Sequence, residues 1–194
     1  VCEHNGRLFV GGIQEDGVAM PNRIRWSHPL EPGDWRTDDY WDIEIGGGKI
    51  TAIVSQTDRL LIFKSNAVFA LYGSTLDDFE LQTVSRSLST VSPASVTQSE
   101  SAVVFFSRAG GRSAIFALAP DTLDLLSEPI ELALDQIQDT DRVFVDYVDR
   151  YLQVSVEWGY ETAGATTDAL LFVHNPEVGR GGSWSVQQPA DGSF

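Results

Sequence analysis

The sequence contains a single cysteine, Cys2, among its 194 residues. An internal disulfide is therefore excluded, and cysteine usage does not identify a redox compartment. No apolar run is long enough to cross a bilayer as a helix, so we expect no membrane insertion. Glycine and proline, with 17 and 8 copies, interrupt the chain too often for long helices.

Basic residues are also scarce, because 13 Lys and Arg stand against 28 Asp and Glu and give a net charge of −15. Tight binding to a phosphate backbone requires clustered basic residues, so the composition predicts no direct nucleic-acid binding of that kind. The acidic residues are dispersed, which is typical of a solvated surface. Val1 stands first and no signal-peptide pattern follows it, so we expect the chain to be part of a longer protein or a processed or trimmed product.

What the chain does contain is a series of apolar, β-favouring runs. The clearest are residues 59–64 and 67–72, joined by Ser65 and Asn66, which indicate a β-hairpin. Polar residues hardly alternate with apolar ones in these runs, so both faces of the hairpin are predicted to be covered. Because an isolated hairpin is only marginally stable in water, neighbouring sheets must cover it.

Similar hairpins recur along the sequence. Equivalent positions in four of them, Arg7, Arg59, Ala102 and Arg150, are separated by 52, 43 and 48 residues. Propeller blades commonly repeat every 40–50 residues or so. Further strands are predicted before and after most hairpins, which gives four strands per unit.

The repeat predicts an all-β fold, a β-propeller or partial propeller arc of about four four-stranded antiparallel blades in a single repeat domain. The first unit has no obvious leading strand. Gly110 and Gly111 are predicted at the tip of the third hairpin, where positive φ angles are required. The best helical window, residues 128–137, has room for one or two turns. The predicted blades are residues 1–45, 46–88, 89–137 and 138–194.

Residues 22–35 read N-R-I-R-W-S-H-P-L-E-P-G-D-W and predict a strand followed by a proline-based turn, with Trp35 packed back on the blade. The segment is comparable with the sialidase Asp-box hairpin, S-x-D-x-G-x-x-W. Ser27 and Trp35 are one residue too far apart for that motif, however, and its Asp position is not filled. We therefore interpret the segment as architectural.

Three segments follow one another in order: N-R-I-R-W-S, then D-R-L-L-I-F-K-S-N, then V-V-F-F-S-R-A-G-G. This order resembles the propeller-like, tail-associated structural proteins of tailed bacteriophages and prophages, over about residues 5–118. The resemblance implies a virion component, in the tail or close to it, that contacts other virion proteins and forms a homo-oligomer. It supplies no catalytic residue and no cofactor, and the sequence departs from it in the fourth unit, where the loop of residues 157–167 is longer.

The residues that carry catalysis in other proteins do not form a pattern in this sequence. His4, His28 and His174 are far apart and share no ligand spacing, so they are predicted to be surface or turn histidines without a metal. No G-x-S-x-G motif is present. Among 28 acids some pair will meet the spacing for glycoside hydrolysis by chance. We therefore predict a protein that is not an enzyme and binds no cofactor.

The alternative is a carbohydrate-binding or glycoside-hydrolysing propeller of the sialidase kind. Trp35, Tyr40 and Trp41 are the candidate contact residues, since aromatic rings stack on sugars. The discriminating feature is whether these rings are packed inside the blades or exposed beside paired carboxylates in a pocket. The acids around them are predicted to lie in a solvated loop between blades; they are Asp38, Asp39 and Asp42.

Overall fold

The computed structural model describes residues 1–99, 101–135, 137, 142–158, 168–178 and 183–187. The chain is all-β, with sixteen strands in four antiparallel four-stranded sheets and one short α-helix among the described residues. Contacts divide it into two compact units, Val1–Pro93 and Ala94–Phe194. That all four sheets belong to a single repeat domain stays a prediction.

The first unit contains two sheets whose strands are ordered as they follow each other in the chain. The first sheet is formed by β1 (Cys2–His4), β2 (Arg7–Glu15), β3 (Val18–Trp26) and β4 (Tyr40–Asp42). The second is formed by β5 (Ile50–Gln56), β6 (Arg59–Lys64), β7 (Val68–Tyr72) and β8 (Glu80–Ser85). The expectation that the first unit lacks a leading strand was wrong, because β1 pairs with β2 and occupies that place.

The second unit repeats this arrangement. Its first sheet is formed by β9 (Val96–Gln98), β10 (Val103–Ala109), β11 (Arg112–Leu118) and β12 (Leu123–Leu125). Its second sheet is formed by β13 (Val143–Val148), β14 (Tyr151–Trp158), β15 (Asp168–Asn175) and β16 (Ser183–Gln187). Most of the loop at which the fourth unit departs from the resemblance, residues 157–167, lies outside the described residues.

Helical structure is limited to short turns in the described part of the chain. A 3₁₀ turn at Glu128–Ile130 leads into α1 (Glu131–Leu134), inside the window where one or two turns were predicted. A second 3₁₀ turn spans Pro93–Ser95. No helix in the described ranges combines the length and the apolar character needed to cross a membrane.

The hairpin of β6 and β7 is buried on both faces, as the sequence predicted. All six residues of β6 and four of the five in β7 are buried. Apolar side chains from both sheets of the first unit meet there in one core. Within it the Phe9 ring lies 6.2 Å from that of Trp26, and Trp26 meets Phe79 edge to face at 5.3 Å. Aromatic pairs in these geometries add to the stabilisation gained from burial alone.

The hairpin of β10 and β11 has the glycine-glycine tip that its sequence predicted. Gly110 and Gly111 connect the strands with φ angles of +61° and +81°. Two consecutive positive φ angles are typical of the type I′ turn, which matches the twist of antiparallel strands. The local sequence therefore determines the register of this hairpin.

The two sheets of each unit contact each other through the same strands. In the first unit β5 contacts β1, β2 and, to a smaller extent, β3, and in the second β13 contacts β9 and β10. The first strand of the later sheet thus packs on the first two strands of the earlier one in both cases. The last strands are the most exposed, with every residue of β12 and four of the five in β16 open to solvent.

We expect Leu60→Ala to lower the free energy of unfolding by about 2–5 kcal/mol, because it removes buried methyl groups and leaves a cavity in the core. The matched control is Leu76→Ala in the same unit, where the side chain is 51% exposed; its effect should stay within about 0.5 kcal/mol. Urea unfolding of both variants measures the difference. Equal losses would contradict the burial of this hairpin.

Candidate functional site

Two of the three predicted contact residues lie on the edge strand β4. Tyr40 and Trp41 are 40% and 37% exposed. The register with β3 places Tyr40 opposite Arg25 and Trp41 opposite the buried Ile24. Because successive side chains of a strand point to opposite faces of the sheet, the two rings do not form one surface on which a sugar could stack.

Trp35, the third predicted contact residue, lies in the turn between β3 and β4. It is half-buried, and its indole Nε1 donates a hydrogen bond to the carbonyl oxygen of Pro32 at 2.9 Å. The prediction of a solvated acidic loop here was wrong in part. Asp42 belongs to β4, and Asp39 is buried rather than solvated, because the chain returns to pair with β3.

An ion-pair network occupies the face of the sheet to which Tyr40 points. The Arg23 guanidinium donates two hydrogen bonds to the Asp42 carboxylate, both 2.7 Å long, and a third to Glu15 at 2.8 Å. Its Cζ lies 3.8 Å from the centre of the Tyr40 ring. Arg25 donates to the other carboxylate oxygen of Glu15 at 3.0 Å. Two cations thus balance two carboxylates, and the Tyr40 ring already has a cationic partner.

The network shifts the titration of both carboxyl groups. Hydrogen bonds from Arg23 hold the pKa of Asp42 below its ordinary value of 3.8. Burial acts to raise the pKa of Glu15, but hydrogen bonds from Arg23 and Arg25 outweigh it and leave that pKa lowered as well. Both groups are therefore carboxylates at neutral pH, held in structural ion pairs and not poised as general acids.

Three cations of the repeated motifs are buried and bind neutral groups. Arg7 donates to the carbonyl oxygen of Ser27 at 3.0 Å, and Arg59 donates to the Gln56 side chain at 2.7 Å. Lys64, with no exposed surface, donates from Nζ to the carbonyl oxygens of Ile43 and Ile45, at 2.6 and 3.0 Å. Burial lowers the pKa of Lys64. These hydrogen bonds tie neighbouring segments together, since a buried cation without them would be costly.

The structure separates the three histidines into two kinds. His4 and His174 are buried, so the prediction that they are surface or turn residues was wrong for both. His4 Nδ1 lies 2.9 Å from the Ser55 hydroxyl, and burial lowers the pKa of His4. His28 does lie in a turn, and its imidazole is close to the carboxylates of Glu31 and Asp34.

The His28 turn contains one potential ligand atom from each of three residues, all within 4.8 Å of one another. Sequence reasoning missed this group because it searched for histidine and cysteine spacings, and His28, Glu31 and Asp34 follow a different one. The sequence did contain a signal for this group: its three potential ligand residues are spaced three residues apart, in a turn that contains Pro29 and Pro32.

An open groove of about 560 Å³ lies in the second unit, with Ser99, Tyr147 and Arg150 among its lining residues. Burial raises the pKa of Tyr147, so its phenol is neutral at physiological pH. Arg150 is exposed and lies 3.4 Å from the carboxylate of Glu177. Asp149 is the one acidic residue among the described lining residues, so they do not include the pair of carboxylates that glycoside hydrolysis uses.

No protein-family profile matches the chain, and no curated protein matches it either. Among solved structures, a chain from the complex of an S. cerevisiae Dbp5 variant with Nup159, Gle1, IP6 and ADP aligns over 96% of this chain at 13% sequence identity, with a TM-score of 0.37. This chain spans 59% of the length of that one. A similarity at this level does not define a fold or a function.

We expect Arg23→Ala to lower the melting temperature at neutral pH, because Glu15 and Asp42 lose their shared partner. A carboxyl group with a lowered folded-state pKa stabilises the fold above its unfolded pKa, and the contribution disappears as pH falls through the folded value. The difference between wild type and variant should therefore shrink on acidification below about pH 3.8, the ordinary pKa of Asp42.

Differential scanning fluorimetry across pH measures this effect. Arg36→Ala is the control, since its side chain is 59% exposed and makes only a 3.4 Å contact with Asp34. A melting-temperature difference for Arg23→Ala that stays constant over the whole acidic range would exclude the network as its cause.

Proposed function

We propose that the chain is a non-enzymatic structural protein of a bacteriophage or prophage-like virion, located in the tail or next to it. It acts through contacts with copies of itself and with other virion proteins. In this proposal the four sheets are four blades of a β-propeller, or of a propeller arc within a longer protein. The alternative of a sugar-binding propeller is less well supported, because the rings of Tyr40 and Trp41 point to opposite faces of β4.

The observation that carries the proposal is the repeated pairing of sheets. Each sheet has four antiparallel strands in chain order, and in both units the first strand of the later sheet packs on the first two strands of the earlier one. Radial repetition of such sheets, with first strands innermost and last strands outermost, defines a propeller. The repeat therefore supports a blade architecture.

The motifs behind the phage resemblance support an architectural role. In D-R-L-L-I-F-K the apolar residues form the buried strand β6, and Arg59 and Lys64 at its ends make structural hydrogen bonds. In N-R-I-R-W-S, Arg23 joins the ion-pair network and the Ser27 hydroxyl accepts a hydrogen bond from the Leu8 backbone at 3.0 Å. The polar groups named here thus have partners within the fold, which supports a structural role for them.

The exposed last strands are the surfaces best suited to contacts between proteins. An edge strand presents unpaired backbone N–H and C=O groups that a strand from another chain can pair with. β12 exposes Leu123 and Leu125 at 42% and 43%, and β16 exposes Val186 at 52%. Apolar side chains on an open edge favour association, and the net charge of −15 favours solubility and disfavours contact with DNA.

If the proposal holds, the chain is a component of the particle. Mass spectrometry of density-gradient fractions from an induced source culture should detect peptides of this chain, such as residues 87–108, in a constant ratio to other virion proteins. The control is a host cytosolic enzyme, which should remain in the soluble fractions. Finding the chain only with the soluble enzymes would contradict a virion role.

Retention on a DNA column tests whether the chain lacks tight nucleic-acid binding, as its net charge predicts. The purified chain should elute in the flow-through at low salt, because a chain with 28 acidic and 13 basic residues repels phosphates. A basic DNA-binding protein of similar mass serves as the positive control. Retention that is released only at high salt would contradict the expected absence of tight nucleic-acid binding.

A further inference from the structure

The turn after β3 brings one imidazole and two carboxylates together. Potential ligand atoms of His28, Glu31 and Asp34 all lie within 4.8 Å of one another, and His28 Nδ1 is 3.8 Å from Glu31 Oε2. Donor atoms bound to one Zn²⁺ at roughly 2.0–2.2 Å in a tetrahedral site are about 3.4 Å apart. Small side-chain rotations are therefore enough to bring the three groups to coordinating distance.

Backbone hydrogen bonds hold the turn in this shape. The N–H of His28 donates to the Asp34 carbonyl at 2.8 Å, and that of Asp34 donates to the Glu31 carbonyl at 3.0 Å. The Glu31 N–H donates back to the His28 carbonyl at 3.2 Å, and Leu30 donates to Gly6 at 2.7 Å. The three candidate ligands are thus linked directly to one another through the main chain. A preorganised turn loses little conformational entropy when a ligand binds.

The imidazole has an unpaired polar atom on the side of the Glu31 carboxylate. His28 Nδ1 is shielded from solvent and makes no hydrogen bond. Buried polar atoms are nearly always paired, so an unpaired one calls for a partner. The nearest charged group is the Glu31 carboxylate at 3.8 Å, too far for a hydrogen bond. A cation between them would contact the nitrogen and both carboxylates at once.

The donor set selects the kind of cation. Imidazole nitrogen with carboxylate oxygen suits Zn²⁺ and other first-row divalent ions, whereas Mg²⁺ and Ca²⁺ prefer oxygen ligands alone. Asp34 has a competing contact, because Arg36 Nε lies 3.4 Å from its Oδ2. That pair is weak, since the Arg36 and Asp34 side chains are 59% and 41% exposed.

We propose that His28, Glu31 and Asp34 bind one divalent transition-metal ion of the Zn²⁺ type, with water as the remaining ligand. The ion cross-links the turn between β3 and β4 and stabilises the folded chain by mass action. The site does not depend on the virion role, because it follows from the three side chains alone.

Isothermal titration of the EDTA-treated chain with ZnCl₂ tests the site. We expect one ion per chain, a rise in melting temperature with Zn²⁺, and visible d–d absorption of the tetrahedral type when Co²⁺ replaces it. MgCl₂ at the same concentration should produce no rise. Absence of stoichiometric Zn²⁺ binding, or an equal rise with Mg²⁺, would overturn the proposal.

Variants assign the binding to these residues. His28→Gln should weaken Zn²⁺ binding by a factor of about 100 or more, since losing an outer-shell partner alone costs roughly 10–100-fold. Asp38→Asn is the matched control for Asp34→Asn, because it removes the same charge from an exposed acid nearby and should leave the affinity unchanged. Circular dichroism of the metal-free variants checks that each remains folded.

A competing site elsewhere in the chain is tested in the same way. Cys2 is a half-buried thiol, and cysteine thiolates are common Zn²⁺ ligands in proteins, so Cys2→Ser should be titrated beside the turn variants. Wild-type affinity in Cys2→Ser supports the turn site. Wild-type affinity in folded His28→Gln, or loss of binding in Cys2→Ser, would contradict it.

Discussion

The requirement that both faces of the β6–β7 hairpin be kept from water constrains the rest of the first unit. No residue of β6 is left open to solvent, so the sheet that contains it cannot be stable without cover on each side. The first sheet of the unit supplies part of this cover, through Phe9, Ile24 and Trp26. The cations at the ends of β6 are buried with it and must find hydrogen-bond acceptors there. Arg59 and Lys64 do so in neighbouring segments, which fixes the positions of those segments as well.

This constraint explains why the buried cations of the repeated motifs in the first unit make structural hydrogen bonds. These hydrogen bonds are made to backbone carbonyls and to a neutral side chain within the same unit. In the described part of the chain, the surfaces open to other molecules are on the last strands of the sheets and in the turns between strands. The turn that carries His28 is one such place, because its backbone is held by hydrogen bonds while the side chains of His28 and Glu31 are partly open to solvent.

The sequence was sufficient for much of the architecture and insufficient for the sites. Apolar β-favouring runs identified the four hairpins and most of the strands beside them, since continuous burial leaves a continuous pattern. The pattern of apolar runs did not identify β1 or β4. These strands have three residues each, and their conformation is determined by pairing with β2 and β3 rather than by their own composition. The His28 group was missed for a similar reason, because backbone hydrogen bonds bring its members together.

The opposite orientation of Tyr40 and Trp41 likewise depended on β4 being a strand, which the sequence did not reveal. The sequence also did not reveal that His4 and His174 are buried, because the pattern of neighbouring residues is the same for a buried imidazole as for an exposed one. The sequence predicted a solvated loop at Asp42, because it does not reveal the ion pair that the Asp42 carboxylate forms with Arg23 on the neighbouring strand.

Native-state hydrogen exchange measured amide by amide tests the central claim most directly. If burial of the β6–β7 hairpin holds the first unit together, the amides of Leu61, Ile62 and Phe69 should exchange only through global unfolding of the unit, while the edge strand β4 exchanges through local opening. Exchange of the β6 and β7 amides at rates similar to those of β4 would show that the hairpin opens independently, and would contradict the account.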